Sequence, residues 1–315
     1  MRRKQSTSLI LNNLNYNLLI NLKICVNIVF YNNKNISNQT GKLKHNKIYY
    51  LKKIINSYLS INKNVSIFIH TNIFTNEKKK ISKIKNVNFI KYNLKNENPR
   101  YFPWKCRKFM EKKKNKYDIF IYSEDDILFT RKNLHYWLKY KDICISNNYN
   151  PGFLRYEISK YNEIYSTDIQ KPLDKFLILN NNKYIVNDLN PFCAFWIMDQ
   201  NEFKKFISSN IWKFNWKGKN HIAFYDPEVM SGIGWHGLNM TRYKATILPT
   251  IKNNLDPSCL IHHMPNNYVD IVSGFGNLKM KRVIKKKLIQ FKEKNLINFF
   301  RLISFQFRSI AKLFR

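Results

Sequence analysis

Short apolar runs and helically spaced apolar residues alternate along the first part of the chain. Runs of strand length lie at 24–31, 65–69, 87–92 and 117–122. Apolar positions at helical spacing fall between the first two runs and again at 103–115. This β-α-β-β-α-β order predicts an α/β fold with a Rossmann-like, mostly parallel central sheet and helices on both faces.

We predict three regions in the chain, with no internal repeat or long flexible linker. Residues 1–22 form an N-terminal extension. Residues 23–275 form one α/β domain with two halves, 23–126 and 127–275. Residues 276–315 form a basic amphipathic tail.

Three consecutive carboxylates, Glu124, Asp125 and Asp126, directly follow the fourth apolar run. Ligands bind outside the carboxyl ends of strands in open α/β sheets. No opposite charge stands beside these acids in the sequence, so a divalent cation would relieve their repulsion. Mg²⁺ and Mn²⁺ favour oxygen ligands and bind carboxylates together with substrate phosphates. An exposed acidic turn, or a helix cap before Thr130, is the alternative interpretation.

A strand that ends in such a triplet resembles the D-x-D-like motif of GT-A glycosyltransferases. The resemblance covers about residues 23–270 and implies the GT-A fold, a nucleotide-sugar donor, a Mn²⁺ or Mg²⁺ cofactor, and a glycan or lipid-linked acceptor. It makes 23–126 the nucleotide-binding half of the domain and 127–275 the acceptor-side half. It also implies Asp126 as the first metal ligand, Glu124 as the second and Asp125 as a donor-binding residue. A glutamate in the first place departs mildly from the D-x-D pattern.

Two adjacent histidines, His262 and His263, lie about 135 residues after the triplet. Many GT-A enzymes supply a late histidine to the same cation, and imidazole is a common metal ligand. Both residues are therefore candidate ligands. We prefer His262 because the apolar run 260–261 leads straight into it. A packed loop beside Pro265 is the alternative.

A catalytic base is needed if the transferase inverts the anomeric configuration, because the acceptor hydroxyl must lose a proton as it attacks. The candidates are Glu228 and Asp226, which flank Pro227. Asp before Pro is also an ordinary N-cap followed by Pro at the first helical position. We therefore predict Glu228 as the base, with Asp188 as a weaker alternative.

Donor-binding residues are predicted at two places. The resemblance points to the helix before the triplet for the pyrophosphate, where Arg107 is favoured over Lys105 because a guanidinium binds phosphate bidentately. Asn32 and Thr71, at the ends of the first two strands, are expected to face the nucleoside. An ordinary surface position is the alternative for each of them.

The formal net charge of +35 calls for an anionic partner. Residues 279–315 carry +11 of this charge and the rest of the chain +24. The last twenty residues contain an apolar helical stripe, which consists of Leu296, Phe299, Phe300, Ile303, Phe307, Ile310 and Phe314. Basic residues lie away from this stripe, as in a helix that binds an anionic membrane surface. A helix docked on the core is the alternative.

The location and the class of function follow from what the sequence lacks. No signal-peptide core or apolar span is present near the N-terminus, which predicts a cytoplasmic protein, peripheral on the membrane.

We expect a glycosyltransferase of surface polysaccharide or glycoconjugate synthesis. Nucleic acid is not expected as a partner, because no helix-turn-helix, RRM or zinc-finger spacing is visible. A metal-dependent phosphoesterase would carry further Asp and His clusters at other strand ends.

Overall fold

The computed structural model describes residues 21–31, 46–73, 75–94, 97, 99–190, 193–209, 212, 245–270 and 275–291. The helices are α1 (Lys47–Leu59), α2 (Asn76–Ile81), α3 (Phe102–Lys112), α4 (Arg131–Ser146) and α5 (Gln200–Ser208). The strands of the first half are β1 (Ile24–Phe30), β2 (Val65–Thr71), β3 (Val87–Lys91), β4 (Ile119–Glu124) and β5 (Ile127–Leu128). They are followed by β6 (Tyr149–Pro151), β7 (Leu154–Ile158), β8 (Ile164–Ser166), β9 (Leu173–Leu179), β10 (Asn182–Asn187) and β11 (Phe195–Asp199). The last strands are β12 (Ala245–Ile251), β13 (Asn254–Leu255), β14 (Leu260–His263), β15 (Leu278–Lys279) and β16 (Ile284–Gln290).

The central sheet has the strand order β11-β4-β1-β2-β3. Strands β1 to β4 are parallel to one another, and β11 joins β4 in the antiparallel direction. The apolar runs of the sequence therefore form the strands that were predicted from them. The predicted fold class, an α/β domain with a mostly parallel Rossmann-like sheet, is confirmed in the described residues.

Helices cover both faces of this sheet because successive strand side chains point to opposite sides. On one face Val26 and Ile28 pack in a core with Ile54 of α1 and Trp137 of α4. On the other face the core contains side chains from β1, α3 and α5, namely Cys25, Val29, Cys106, Met110, Phe203 and Phe206. Burial on both faces explains why β1 has no exposed residue.

The remaining strands form two further sheets. One has the order β13-β12-β10-β9-β16, with β6 also paired to β12. The other has the order β15-β8-β7-β14-β5. In this third sheet β14 lies between β5, its antiparallel neighbour, and β7, its parallel neighbour. The short strand β5 directly follows the acidic triplet, so this sheet brings distant parts of the chain to the end of β4.

The paired strands continue past residue 275, where the sequence analysis began the tail. Strand β15 pairs with β8, and β16 pairs with β9. The lysines at 285–287 are exposed, but Val283 is buried and Ile284 packs against the core. The apolar stripe of residues 296–314 lies outside the described residues. In the part of the chain that the structure describes, no helix has the length and apolar character needed to span a membrane.

Candidate metal centre

The acidic triplet lies at the end of the central strand β4. Glu124 is the last residue of that strand, and Asp125 and Asp126 form the turn before β5. Pairing of β5 with β14 places Ile127 opposite His263. The backbone N–H of Met264 also donates to the carbonyl oxygen of Asp126 over 3.0 Å. These backbone contacts bring the second histidine of the pair to the third acid of the triplet.

Asp126 and His263 face each other directly. The Oδ2 atom of Asp126 lies 3.2 Å from Nε2 of His263. The other ring nitrogen, Nδ1, lies 2.5 Å from Oε1 of Glu157. The Oδ1 atom of Asp126 is buried and has no hydrogen-bond partner among the described residues. The imidazole is thus held between the carboxylates of Asp126 and Glu157, and Asp126 has one buried oxygen without a hydrogen-bond partner among the described residues.

The charges of this group depend on one another. Burial by itself lowers the pKa of His263, but Asp126 and Glu157 outweigh it and raise that pKa to about 9. Burial would raise the pKa of Asp126, yet the charge and hydrogen bond of His263 hold it below its usual value. The same histidine, together with backbone N–H donors, lowers the pKa of Glu157 against the effect of its burial. In the absence of a cation, His263 is therefore the positive charge between two anions.

A buried ion pair lies beside the two carboxylates. Arg155 of β7 donates from Nε and Nη2 to the two oxygens of Asp168, over 2.9 and 2.6 Å. The guanidinium also lies 5.8 Å from the ring centre of Tyr268, which stacks on His263 at 5.3 Å. The sequence analysis missed these residues and Glu157. Charged residues two positions apart, Arg155 and Glu157, in the segment that forms β7 are the signal that could have identified them.

His262, the preferred ligand of the sequence analysis, has other partners. His263, the next residue of β14, points to the opposite face of the sheet, so the two imidazole rings are separated. The Nε2 atom of His262 lies 3.0 Å from Oδ1 of Asn266, and its ring stacks on Tyr156 at 4.9 Å. Burial lowers the pKa of this histidine. The residue that the structure brings to Asp126 is His263, and the preference for His262 has no support in this geometry.

The donor set fits a small divalent cation in part. Among the described residues no group of three or more His, Cys, Asp or Glu side chains is arranged to hold a metal ion by itself. Asp126 and His263 instead offer one carboxylate and one imidazole nitrogen. Mg²⁺ and similar ions are bound by one or two protein ligands together with substrate phosphates. A carboxylate behind the ligating imidazole, as Glu157 provides here, is the usual arrangement around a metal-bound histidine.

The predicted phosphate-binding residues of α3 have partners of their own. The guanidinium of Arg107 is sandwiched between Trp104 and Trp212, and Nη1 donates to the carbonyl oxygen of Trp212 over 2.6 Å. Only 6% of this residue is exposed, and burial lowers its pKa to about 9. Lys105 pairs with Glu97 at 2.6 Å. A donor phosphate would have to displace these contacts, so the geometry does not favour either residue.

The other residues predicted to bind the nucleotide-sugar donor are Thr71, Asp125 and Asn32. Thr71 ends β2, where it is buried and donates from Oγ1 to the carbonyl oxygen of Ile73 over 3.0 Å. Asp125 is mostly buried and lies 3.6 Å from Nζ of Lys47, at the start of α1. Asn32 lies outside the described residues. Lys47 is a cation at the triplet that the sequence analysis did not identify.

The candidate bases Asp226 and Glu228 also lie outside the described residues. The weaker alternative, Asp188, is described and is paired with Lys175 at 2.5 Å. Its side chain is 7% exposed. A buried carboxylate that is already paired with a lysine is a poor base, because the ammonium stabilises its charged form.

Comparisons with known proteins yield only distant structural similarity. No protein-family model and no curated protein matches the chain. Two of the solved structures that are similar to it each share 8% sequence identity with it. One is a mannosyltransferase from Pyrobaculum calidifontis in complex with GDP-Man and Mn²⁺, aligned over 77% of this chain and 57% of that chain with a TM-score of 0.38. The other is a proposed nucleotide-diphospho-sugar transferase from Desulfovibrio desulfuricans G20, aligned over 71% of this chain and 78% of that chain with a TM-score of 0.36.

Proposed function

We propose that this protein is a metal-dependent glycosyltransferase that moves a sugar from a nucleoside-diphosphate donor to a glycan or lipid-linked acceptor, in surface polysaccharide or glycoconjugate synthesis. One observation carries the proposal. Asp126 and His263 meet at the carboxyl end of a parallel strand, and Asp126 Oδ1 is buried without a hydrogen-bond partner in the described part. The crevice outside such strand ends is where open α/β sheets bind ligands.

The roles of the site residues follow from their chemistry. Asp126 and His263 would hold the cation, and Glu124, the other ligand that the resemblance implies, does not form a three-ligand group with them in the described residues. A divalent cation there would stabilise the negative charge that develops on the leaving nucleoside diphosphate. Lys47, about half exposed and next to Asp125, is placed to attract the donor phosphates in preference to the sandwiched Arg107. Thr71 and Asn32 would contact the nucleoside.

The stereochemical part of the proposal rests on the sequence. Glu228, or Asp226 in second place, would accept the proton of the acceptor hydroxyl as its oxygen attacks the anomeric carbon. The product would then have the inverted configuration. A base of this kind contributes about 10²- to 10⁴-fold to the rate. Replacement of Glu228 by glutamine therefore separates proton transfer from donor binding.

Two rival functions are disfavoured by the site. Metal-dependent phosphoesterases use ligand clusters to hold one or two ions, and the described residues contain no such cluster of three or more side chains. A surface for nucleic-acid phosphates is built from Lys and Arg, whereas the end of β4 presents Glu124, Asp125 and Asp126. A single carboxylate–imidazole pair is better matched to a cation that a donor pyrophosphate helps to bind.

An anionic membrane surface is the proposed partner of the C-terminal region. Lys285, Lys286 and Lys287 are exposed in β16, where the pairing with β9 shifts register between Ile284 and Ile289. Each lysine near anionic lipid contributes about 1 kcal/mol of attraction. The amphipathic sequence 296–314 follows directly. A location on the cytoplasmic face of the membrane is part of this proposal.

The proposed function is tested with a panel of nucleotide sugars. Release of nucleoside diphosphate is measured with Mn²⁺, with Mg²⁺ and with excess chelator. We expect release from at least one donor, dependent on the cation and absent in Asp126→Asn. Asp142→Asn, which removes an exposed carboxylate on α4, is the matched control and should behave as the native protein. Release that persists in Asp126→Asn or in chelator would refute the assignment.

A further inference from the structure

Glu157 is an acid with no solvent-exposed surface, in the middle of the third sheet. Both of its oxygens are used. Oε1 lies 2.5 Å from Nδ1 of His263 and accepts the backbone N–H of Asn267 at 3.2 Å. Oε2 accepts the backbone N–H groups of Tyr268 and Val269 at 2.9 and 2.6 Å. Burial of a carboxylate is costly unless it is hydrogen-bonded in this way.

The turn after β14 supplies the backbone N–H groups that bind the carboxylate of Glu157. Asn266 has a φ of 51°, in the left-handed region that asparagine tolerates better than most residues. The three following residues then point successive N–H groups at one carboxylate, as in other backbone sites for anions. Because all of these backbone groups are donors, the side chain at 157 must accept hydrogen bonds on this side.

With a cation bound, His263 would be neutral, and the same carboxylate would then determine which of its nitrogens faces Asp126 without a proton. A neutral imidazole carries one proton, and the nitrogen that donates to an acceptor keeps it. With Glu157 as the acceptor at Nδ1, the lone pair of the neutral ring lies on Nε2, which is 3.2 Å from Asp126 Oδ2. Only a nitrogen with its lone pair available can ligate a metal.

We propose that Glu157 is a positioning residue of the candidate metal centre: it holds His263 with Nε2 available toward Asp126 and fixes the ring to the turn at 266–269. This inference rests on the proposed function, because it assumes that a cation binds at Asp126 and His263. It adds a residue of β7, 106 positions before the histidine in the sequence, to the group that determines cation affinity.

The substitution Glu157→Gln tests this role because it changes hydrogen-bond direction at constant size. The amide oxygen is needed by the N–H groups of Tyr268 and Val269, since an amide nitrogen there would oppose two donors. The amide nitrogen then takes the place of Oε1 and donates toward Nδ1 of His263. The ring accepts that bond only in the tautomer with its proton on Nε2, which faces the cation position.

The Mn²⁺ dissociation constant of the folded protein is the readout, measured by electron paramagnetic resonance of free Mn²⁺ in the presence of a nucleoside diphosphate. Loss of a carboxylate behind a ligating histidine typically weakens metal binding 10- to 100-fold, and we expect an increase of about that size. Glu163→Gln is the matched control: Glu163 lies outside the site, pairs with Lys279 and Tyr165, and is partly exposed. The control should bind Mn²⁺ as the native protein does.

The outcomes separate this role from a structural one and from the proposed function. Native-like Mn²⁺ affinity in a folded Glu157→Gln protein, even with a lower melting temperature, would overturn the positioning role alone. Absence of Mn²⁺ binding in the native protein would overturn the metal centre and this inference with it. If the variant does not fold, ¹⁵N NMR of the native Mg²⁺-loaded protein decides. We expect the His263 proton on Nδ1, and a proton on Nε2 would contradict the proposal.

Discussion

The buried pair of Arg155 and Asp168 makes a quantitative prediction about stability. Asp168→Asn removes the carboxylate charge that neutralises the guanidinium of Arg155 through two hydrogen bonds of 2.9 and 2.6 Å. The guanidinium stays buried. The two side chains are only 7% and 5% exposed, so solvent cannot replace the lost partner. Loss of one member of a buried pair costs about 3–5 kcal/mol in unfolding free energy. At about 2–4 °C per kcal/mol for a domain of this size, the melting temperature should fall by roughly 6–20 °C.

The assay is thermal and urea unfolding followed by circular dichroism. The matched control is Asp174→Asn, because Asp174 lies 3.9 Å from Lys285 and the side chains of Lys285 and Asp174 are 58% and 35% exposed. An exposed pair of this kind contributes about 0–1 kcal/mol, so the control should unfold almost as the native protein does. The double substitution Arg155→Met with Asp168→Leu removes both charges and should recover much of the loss. A cost of less than about 1 kcal/mol for Asp168→Asn would refute the reasoning about burial.

Three further predictions concern the site, the C-terminal region and the cysteines. Glu228→Gln should lower sugar transfer by about 10²-fold or more with little change in donor affinity, measured by steady-state kinetics and calorimetry; a loss below about tenfold would move the base elsewhere. A chain that ends at Phe291 keeps β16 and should retain its melting temperature but lose binding to anionic vesicles in sedimentation; a large fall in melting temperature would instead indicate a helix docked on the core. All five cysteines are buried, and burial raises the pKa of Cys25 to about 12. Native protein should therefore resist iodoacetamide until it is denatured, as read by mass spectrometry, and rapid labelling would contradict the packing of these thiols.

The sequence predicted the central sheet well because its strands are buried on both faces. Such strands appear as uninterrupted apolar runs, and β1 is buried at every position. The end of β4 was equally predictable, since Glu124, Asp125 and Asp126 interrupt an apolar run. The sequence pattern was therefore informative where residues that follow one another in the chain are buried in the same strand.

The partners of the site were less predictable because they depend on long-range pairing. The choice between His262 and His263 follows from the register of β14 against β5, which no local pattern reveals. Glu157 reaches His263 only because β7 and β14 are neighbours in the sheet. The lysines of β16 were assigned to a tail because charge dominates that segment, although Val283 and Ile284 pack inward. Arg107 was predicted as a phosphate ligand from the resemblance and from its guanidinium, and only tertiary packing brings it close to two tryptophans.

We propose that Asp126 and His263 share a cation at the end of β4. Anomalous diffraction from crystals grown with Mn²⁺ and a nucleoside diphosphate would locate that cation. We expect a manganese peak at about 2.1 Å from a carboxylate oxygen of Asp126 and from Nε2 of His263, with diphosphate oxygens completing its ligands. A manganese peak at other residues, or bound nucleotide with no peak at this pair, would overturn the proposed metal centre.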